Sequence, residues 1–135
     1  MTVINGIEID DVFFSLNLDK FAVLNNFTLQ NKLFLIVVLA NPLGFARRFV
    51  LFNQFINRII HEEPFVELYI VEIIYPGQKY IVSNPNNPKH LQVKADTPLW
   101  HKENLINLAV KYLLPHDYKC FAWVDADIEF ENPSW

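Results

Sequence analysis

Residues 33–60 read LFLIVVLANPLGFARRFVLFNQFINRII. The opening run, LFLIVVLA, is continuously apolar and rich in branched side chains, the pattern of a strand covered on both faces. ANPLG breaks the run. FARRFVLFNQFINRII then continues at helical spacing: Phe45, Phe49, Phe52, Ile56 and Ile59 form one apolar stripe, with Phe55 in the same core series, while Arg47, Gln54 and Arg58 lie elsewhere around the helix. The stretch predicts a strand–loop–helix unit.

Working outward, FVELYIVEII (65–74) predicts a second strand, ended by Pro76-Gly77. KYIVSN (79–84) reads as a short third strand, NPNNP (84–88) as a loop that its prolines bar from helix, and HLQVKAD (90–96) as another short strand. Asp96-Thr97-Pro98 offers a polar N-cap and a proline at the first helical position. Leu99, Leu105, Leu108, Ala109, Tyr112 and Leu113 follow at helical spacing, and Pro115 closes the helix. CFAWV (120–124) predicts a buried strand, with Cys120 and Trp123 as packing residues, ending at Asp125-Ala126-Asp127. Upstream, INGIEI and VFFSLNL read as short strands in an N-terminal extension, residues 1–32. The order β-α-β-(β)-(β)-α-β implies an α/β fold: a mostly parallel open sheet with flanking helices, spanning 33–135.

Composition removes several function classes. The 135 residues suit one domain, and 52% hydrophobic with only 19% charged residues excludes a disordered chain. Gly6, Gly44 and Gly77 are too dispersed for a G-x-G-x-x-G or GxxxxGK[ST] phosphate cradle. A net charge of −4, with no basic cluster beyond Arg47-Arg48, argues against a nucleic-acid partner. Cys120 is the single cysteine, so there is no internal disulfide, and the chain suits a reducing compartment. MTVINGIEIDD lacks a basic n-region, and the apolar run at 33–40 is too short for a membrane span, so the expected location is cytoplasmic.

In open α/β sheets, ligands bind outside the carboxyl ends of the strands. Asn41 and Pro42 follow the first clear strand, and Asp125 and Asp127 follow the last. In an extended segment two carboxylates at i and i+2 point to one side and repel. A hard divalent cation, Mn²⁺ or Mg²⁺, relieves that repulsion and takes further oxygens from water or a diphosphate. A solvated acidic turn is the competing reading.

The string FAWVDADIEFENPSW resembles the D-x-D segment of bacterial and viral glycosyltransferase-like proteins of the GT-A class. LANPLGFARRFVLFNQFI and PLWHKENLINLAVKYL are similar to that family's upstream segments, in the family's order, so the likeness covers roughly residues 33–135. It implies the Rossmann-like, nucleotide-sugar-binding half of the fold. Asn41 and Pro42 would lie near the base or ribose, and Asp125 and Asp127 would hold the divalent metal on the diphosphate. Arg47, Arg48 and Lys102 would be assisting cations. The donor would be a UDP-sugar or another nucleoside-diphosphate sugar, and the acceptor a glycan, lipid or protein. Such a domain usually continues past the D-x-D segment, where this sequence stops at Trp135, so the acceptor half with its catalytic residues is expected to be missing.

Two rival functions follow. One is a non-catalytic interaction module that forms a homo-oligomer or binds a partner chain completing the sheet. The other is a haloacid-dehalogenase-type phosphatase. That motif carries threonine or valine after its second Asp and opens its domain, whereas Ile128, Glu129 and Phe130 follow here. The histidines are read structurally: His101 as a surface residue on a helix, and His61, His90 and His116 at segment ends without ligand spacing. Glu103 favours the start of its helix.

Overall fold

A computed structural model describes residues 32–131 in full and, upstream, the backbone of two short strands. These are β1 (Thr2–Ile4) and β2 (Ile7–Ile9), an antiparallel pair. Strand β2 falls within the expected INGIEI run; VFFSLNL lies outside the described residues. The main chain then runs β3 (Leu33–Ala40), α1 (Ala46–Glu62), β4 (Val66–Ile74), β5 (His90–Lys94), α2 (Lys102–Tyr112) and β6 (Phe121–Trp123). Strands β3 to β6 form one parallel sheet in the order β5-β4-β3-β6, the expected α/β architecture.

Strand β3 earns its apolar run by sitting in the middle. It pairs with β4 from Leu33↔Val66 to Ala40↔Ile73, and with β6 from Phe34↔Phe121 to Ile36↔Trp123. Successive side chains leave opposite faces. Leu35, Val37 and Leu39 meet Phe52, Phe55 and Ile59 of α1 on one face. Phe34 and Ile36, with Tyr69, Val71 and Ile73 of β4, meet Leu105, Ile106 and Ala109 of α2 on the other. The helices therefore sandwich the sheet.

The register of burial corrects several expectations. Phe45 precedes α1 and is 56% exposed, because it ends the loop rather than joining the stripe. Helix α2 starts at Lys102, not at the Asp96-Thr97-Pro98 cap. The Thr97 carbonyl accepts the Leu99 N–H (2.9 Å) and contacts His101 Nε2 (3.1 Å), so that segment closes its hydrogen bonds locally and leaves Leu99 outside the helix. Tyr112 is exposed, and Ile106 takes the core position. Cys120 and Trp123 are also exposed: β6 is a three-residue edge strand, and α2 packs over β3 and β4 instead.

Residues 79–84 are not a strand. Their N–H groups turn onto the Glu72 carboxylate, which is 2% exposed within β4 on the α1 side. Glu72 Oε1 accepts from Ile81 N (2.8 Å), and Oε2 from Ser83 N (2.8 Å) and Ser83 Oγ (2.5 Å). Val82 N reaches both oxygens. A buried carboxylate demands such donors, and here it captures the backbone that a ladder would otherwise use. The segment is launched by a Tyr75–Gln78 turn: Gln78 N donates to Tyr75 O (3.0 Å), with Pro76 second and Gly77 third at φ +83°, which suits glycine. Among the described residues no helix is long and apolar enough to cross a membrane.

Glu72→Gln sets an amide N–H₂ against N–H donors. It is expected to cost about 2–3 kcal/mol, read as a lower urea midpoint. A second expectation concerns pH. His90 Nδ1 accepts the Asn84 N–H (2.9 Å), and burial lowers the His90 pKa from its ordinary 6.5, with Glu72 partly opposing. The folded state thus prefers neutral imidazole, and the unfolded chain binds the proton first. Stability is complete above pH 6.5 and declines as pH falls from there through the lowered folded value. His90→Gln should flatten that part of the stability profile.

Candidate functional site

From β3 the chain builds the sheet outward through β4 to β5, then returns to lay β6 on the opposite side of β3. Two parallel strands diverging in this way leave a crevice at their carboxyl ends, the usual ligand site of open α/β sheets. A cavity of about 470 Å³ lies at this point, within the size range of small-molecule sites. Its floor is Val38, Leu39 and Ala40 at the end of β3. Arg48, Leu51 and Phe52 of α1 form one wall, and the segment Pro98–Trp100 with Tyr75 the other. Lys102, Asp125 and Asp127 give it a charged end.

Each charged group is set by its element. Lys102 is the first residue of α2, and its Nζ is ion-paired with Asp125 Oδ1 across the cleft. Asp125 and Asp127 lie in a turn rather than an extended segment, yet both line the cavity. That turn is held down by Ala126 and Phe130, which pack on the α1-side core, and by Glu129, whose carboxylate lies 2.6 Å from Arg58 Nη2. This hydrogen bond raises the Arg58 pKa. Arg48 Nη1 donates to the Ala40 carbonyl (2.9 Å), which holds its guanidinium over the end of β3.

The sequence-predicted residues divide. Pro42, Arg48, Lys102, Asp125 and Asp127 come together around the cavity; Arg47 and Asn41 do not line it. Asn41 is 3% exposed, and its side chain is spent on the loop: Nδ2 donates to Phe45 O (2.9 Å), and Oδ1 accepts from Phe45 N (3.1 Å). Gln78 Nε2 donates to the Asn41 and Pro42 carbonyls (2.9 and 3.1 Å). Asn41 thus shapes the rim from behind.

Trp100 has no role in the sequence pattern, and Leu99, expected in the helical stripe, lines the cavity instead. Trp100 is 78% exposed on the cavity wall, presenting an aromatic face to solvent. The signal was the six-residue gap from Leu99 to Leu105, which no single helical step bridges. His101 sits at the helix N-cap, with its ring 6.3 Å from that of Tyr75.

Asp125 and Asp127 are hard oxygen donors, and no third His, Cys, Asp or Glu joins them among the described residues. Two carboxylates are a donor set of the kind Mg²⁺ or Mn²⁺ takes, with water and phosphate oxygens completing the shell. It does not fit a closed zinc site, which needs four protein ligands.

The second cavity, of about 430 Å³, is lined by Lys32, Glu67, Lys89 and His90 among others. Its carboxylate Glu67 is already engaged: it lies 3.0 Å from Lys89 Nζ and 3.4 Å from Lys32 Nζ, and accepts from Tyr69 (2.9 Å). Burial pushes the Glu67 carboxyl up, but these partners outweigh it and leave it below its ordinary value; burial and Glu67 push Tyr69 up to about 12. This cluster ties the start of β3 to β4 and to the entry of β5.

Compared with known proteins, the chain matches no protein-family model, no curated protein and no solved structure.

Asn41→Ala is expected to cost about 1–2 kcal/mol, from the loss of two partly buried hydrogen bonds, read in a urea titration. Asn41→Asp keeps the acceptor for Phe45 N but buries a carboxylate oxygen against the Phe45 carbonyl, and should cost at least as much as the alanine change.

Proposed function

We propose that this domain binds a nucleoside-diphosphate sugar in the cleft between β3 and β6, with the diphosphate at the charged end, as a glycosyltransferase-like donor site. The observation that carries this reading is the joint position of Asp125, Asp127, Lys102 and Arg48 around one cavity at the sheet's switch point. The likeness of three segments to GT-A proteins supports it from the sequence side.

Asp125 and Asp127 would hold Mn²⁺ or Mg²⁺, which supplies Lewis-acid stabilisation of the departing diphosphate. Arg48 and Lys102 contribute positive charge to the same cavity, and the N-terminus of α2 adds unsatisfied N–H groups that favour anions. The apolar floor and the Trp100 face suit a base or sugar ring, since aromatic faces stack on planar or C–H-rich surfaces. Transfer to an acceptor is the activity this donor site would serve.

One observation favours the second reading, a module that pairs with another chain. The outer edge of β6 has no strand partner among the described residues, and Cys120 and Trp123 are exposed along it.

The test is a titration of UDP, and separately of GDP, with and without Mn²⁺, followed by tryptophan fluorescence. Metal-dependent binding is expected, reduced at least ten-fold (about 1.4 kcal/mol) in Asp125→Asn/Asp127→Asn. Failure of a folded protein to bind either nucleotide would overturn the donor-site reading and leave the pairing module.

A further inference from the structure

Lys102 stands where a helix does not want a cation. It is the first residue of α2, at the positive end of the macrodipole, and its N-cap, His101, makes no side-chain capping bond. The same end of α2 carries Glu103, the residue type that position favours. What offsets the misplaced charge is tertiary: Asp125, 23 residues away at the end of β6, pairs with the Lys102 ammonium. The lysine side chain is 24% exposed, against 56% for Asp125, and lines the cleft with it.

We propose that Lys102 is a resident counter-ion for Asp125, standing in for the divalent cation until that cation arrives with an anionic ligand. This rests on the donor-site reading and assigns that site an order of assembly. A divalent ion and an ammonium cannot both neutralise the same carboxylate without repelling each other, so the ion must displace Lys102. The freed ammonium, tethered at the N-terminus of α2, then serves the anionic group in the cavity that Arg48 also lines. Metal and diphosphate thus bind with positive coupling through one side chain: each removes the charge that opposes the other, and the coupling is reciprocal.

The experiment measures Mn²⁺ binding directly, by the electron paramagnetic resonance signal of free Mn²⁺, on the full chain without nucleotide. Wild type is compared with Lys102→Met, with Asp125→Asn, and with Lys111→Met, which makes the same change in net charge at the opposite end of α2. Lys102→Met should bind Mn²⁺ about three- to ten-fold more tightly than wild type, the scale of a partly exposed ion pair, while Lys111→Met stays within two-fold. Adding UDP should tighten Mn²⁺ binding in wild type and do so less in Lys102→Met. If wild type binds Mn²⁺ through Asp125 and Lys102→Met binds it no better, the counter-ion role is overturned and the donor site stands. If neither wild type nor Lys102→Met binds Mn²⁺ even with UDP present, the donor-site reading fails and the inference fails with it.

Discussion

Strand β3 is hydrogen-bonded along both edges and covered on both faces, and the rest of the domain follows from that position. A strand so placed has no polar surface to show, so its side chains are apolar without interruption, and Leu35, Ile36 and Val37 are completely buried. Its two faces need separate covers, which α1 and α2 supply from opposite sides. Its two edges need separate partners, and because β4 lies on one side and the chain comes back to β6 on the other, the carboxyl end of β3 becomes the point where the sheet parts.

What keeps that end open is a set of polar contacts behind the cleft. Asn41 closes the loop after β3 onto Phe45, Gln78 clasps the Asn41 and Pro42 carbonyls, and Glu72 anchors the segment that carries the chain from β4 toward β5. Each uses a buried or half-buried side chain to satisfy backbone groups that irregular segments leave unpaired. These contacts leave Arg48, Lys102 and the two aspartates facing the cavity. The charge at the site is therefore divided: two cations and two carboxylates line one cavity, and the Lys102–Asp125 contact joins one of each.

Much of the fold was legible along the chain. The run at 33–40 could only be a doubly covered strand, the phenylalanine stripe after it a packed helix, and Asp125 and Asp127 the exit of a last strand. The misreadings have a common origin. KYIVSN looks like a strand because its residues are strand formers, but a carboxylate in β4 claims its N–H groups first. Cys120 and Trp123 look like core because they are apolar, but an edge strand of three residues has too little cover. Leu99 and Trp100 look helical because a cap and a proline precede them, but Thr97 closes that segment on itself.

The sequence by itself determined the order of elements apart from the strand expected at 79–84, the parallel α/β class and the two strand ends that carry polar residues. These depend on periodicity and on breakers, which act over a few neighbouring positions. Only the tertiary structure decided which of those polar residues share a cavity. Asn41 is turned inward and Arg48 toward the cleft, though they are seven residues apart, and Lys102 meets Asp125 from the far side of a helix and a strand. Such meetings depend on the strand order β5-β4-β3-β6, which no local pattern encodes, because it is set by which edges and faces are left to bury once the others are taken.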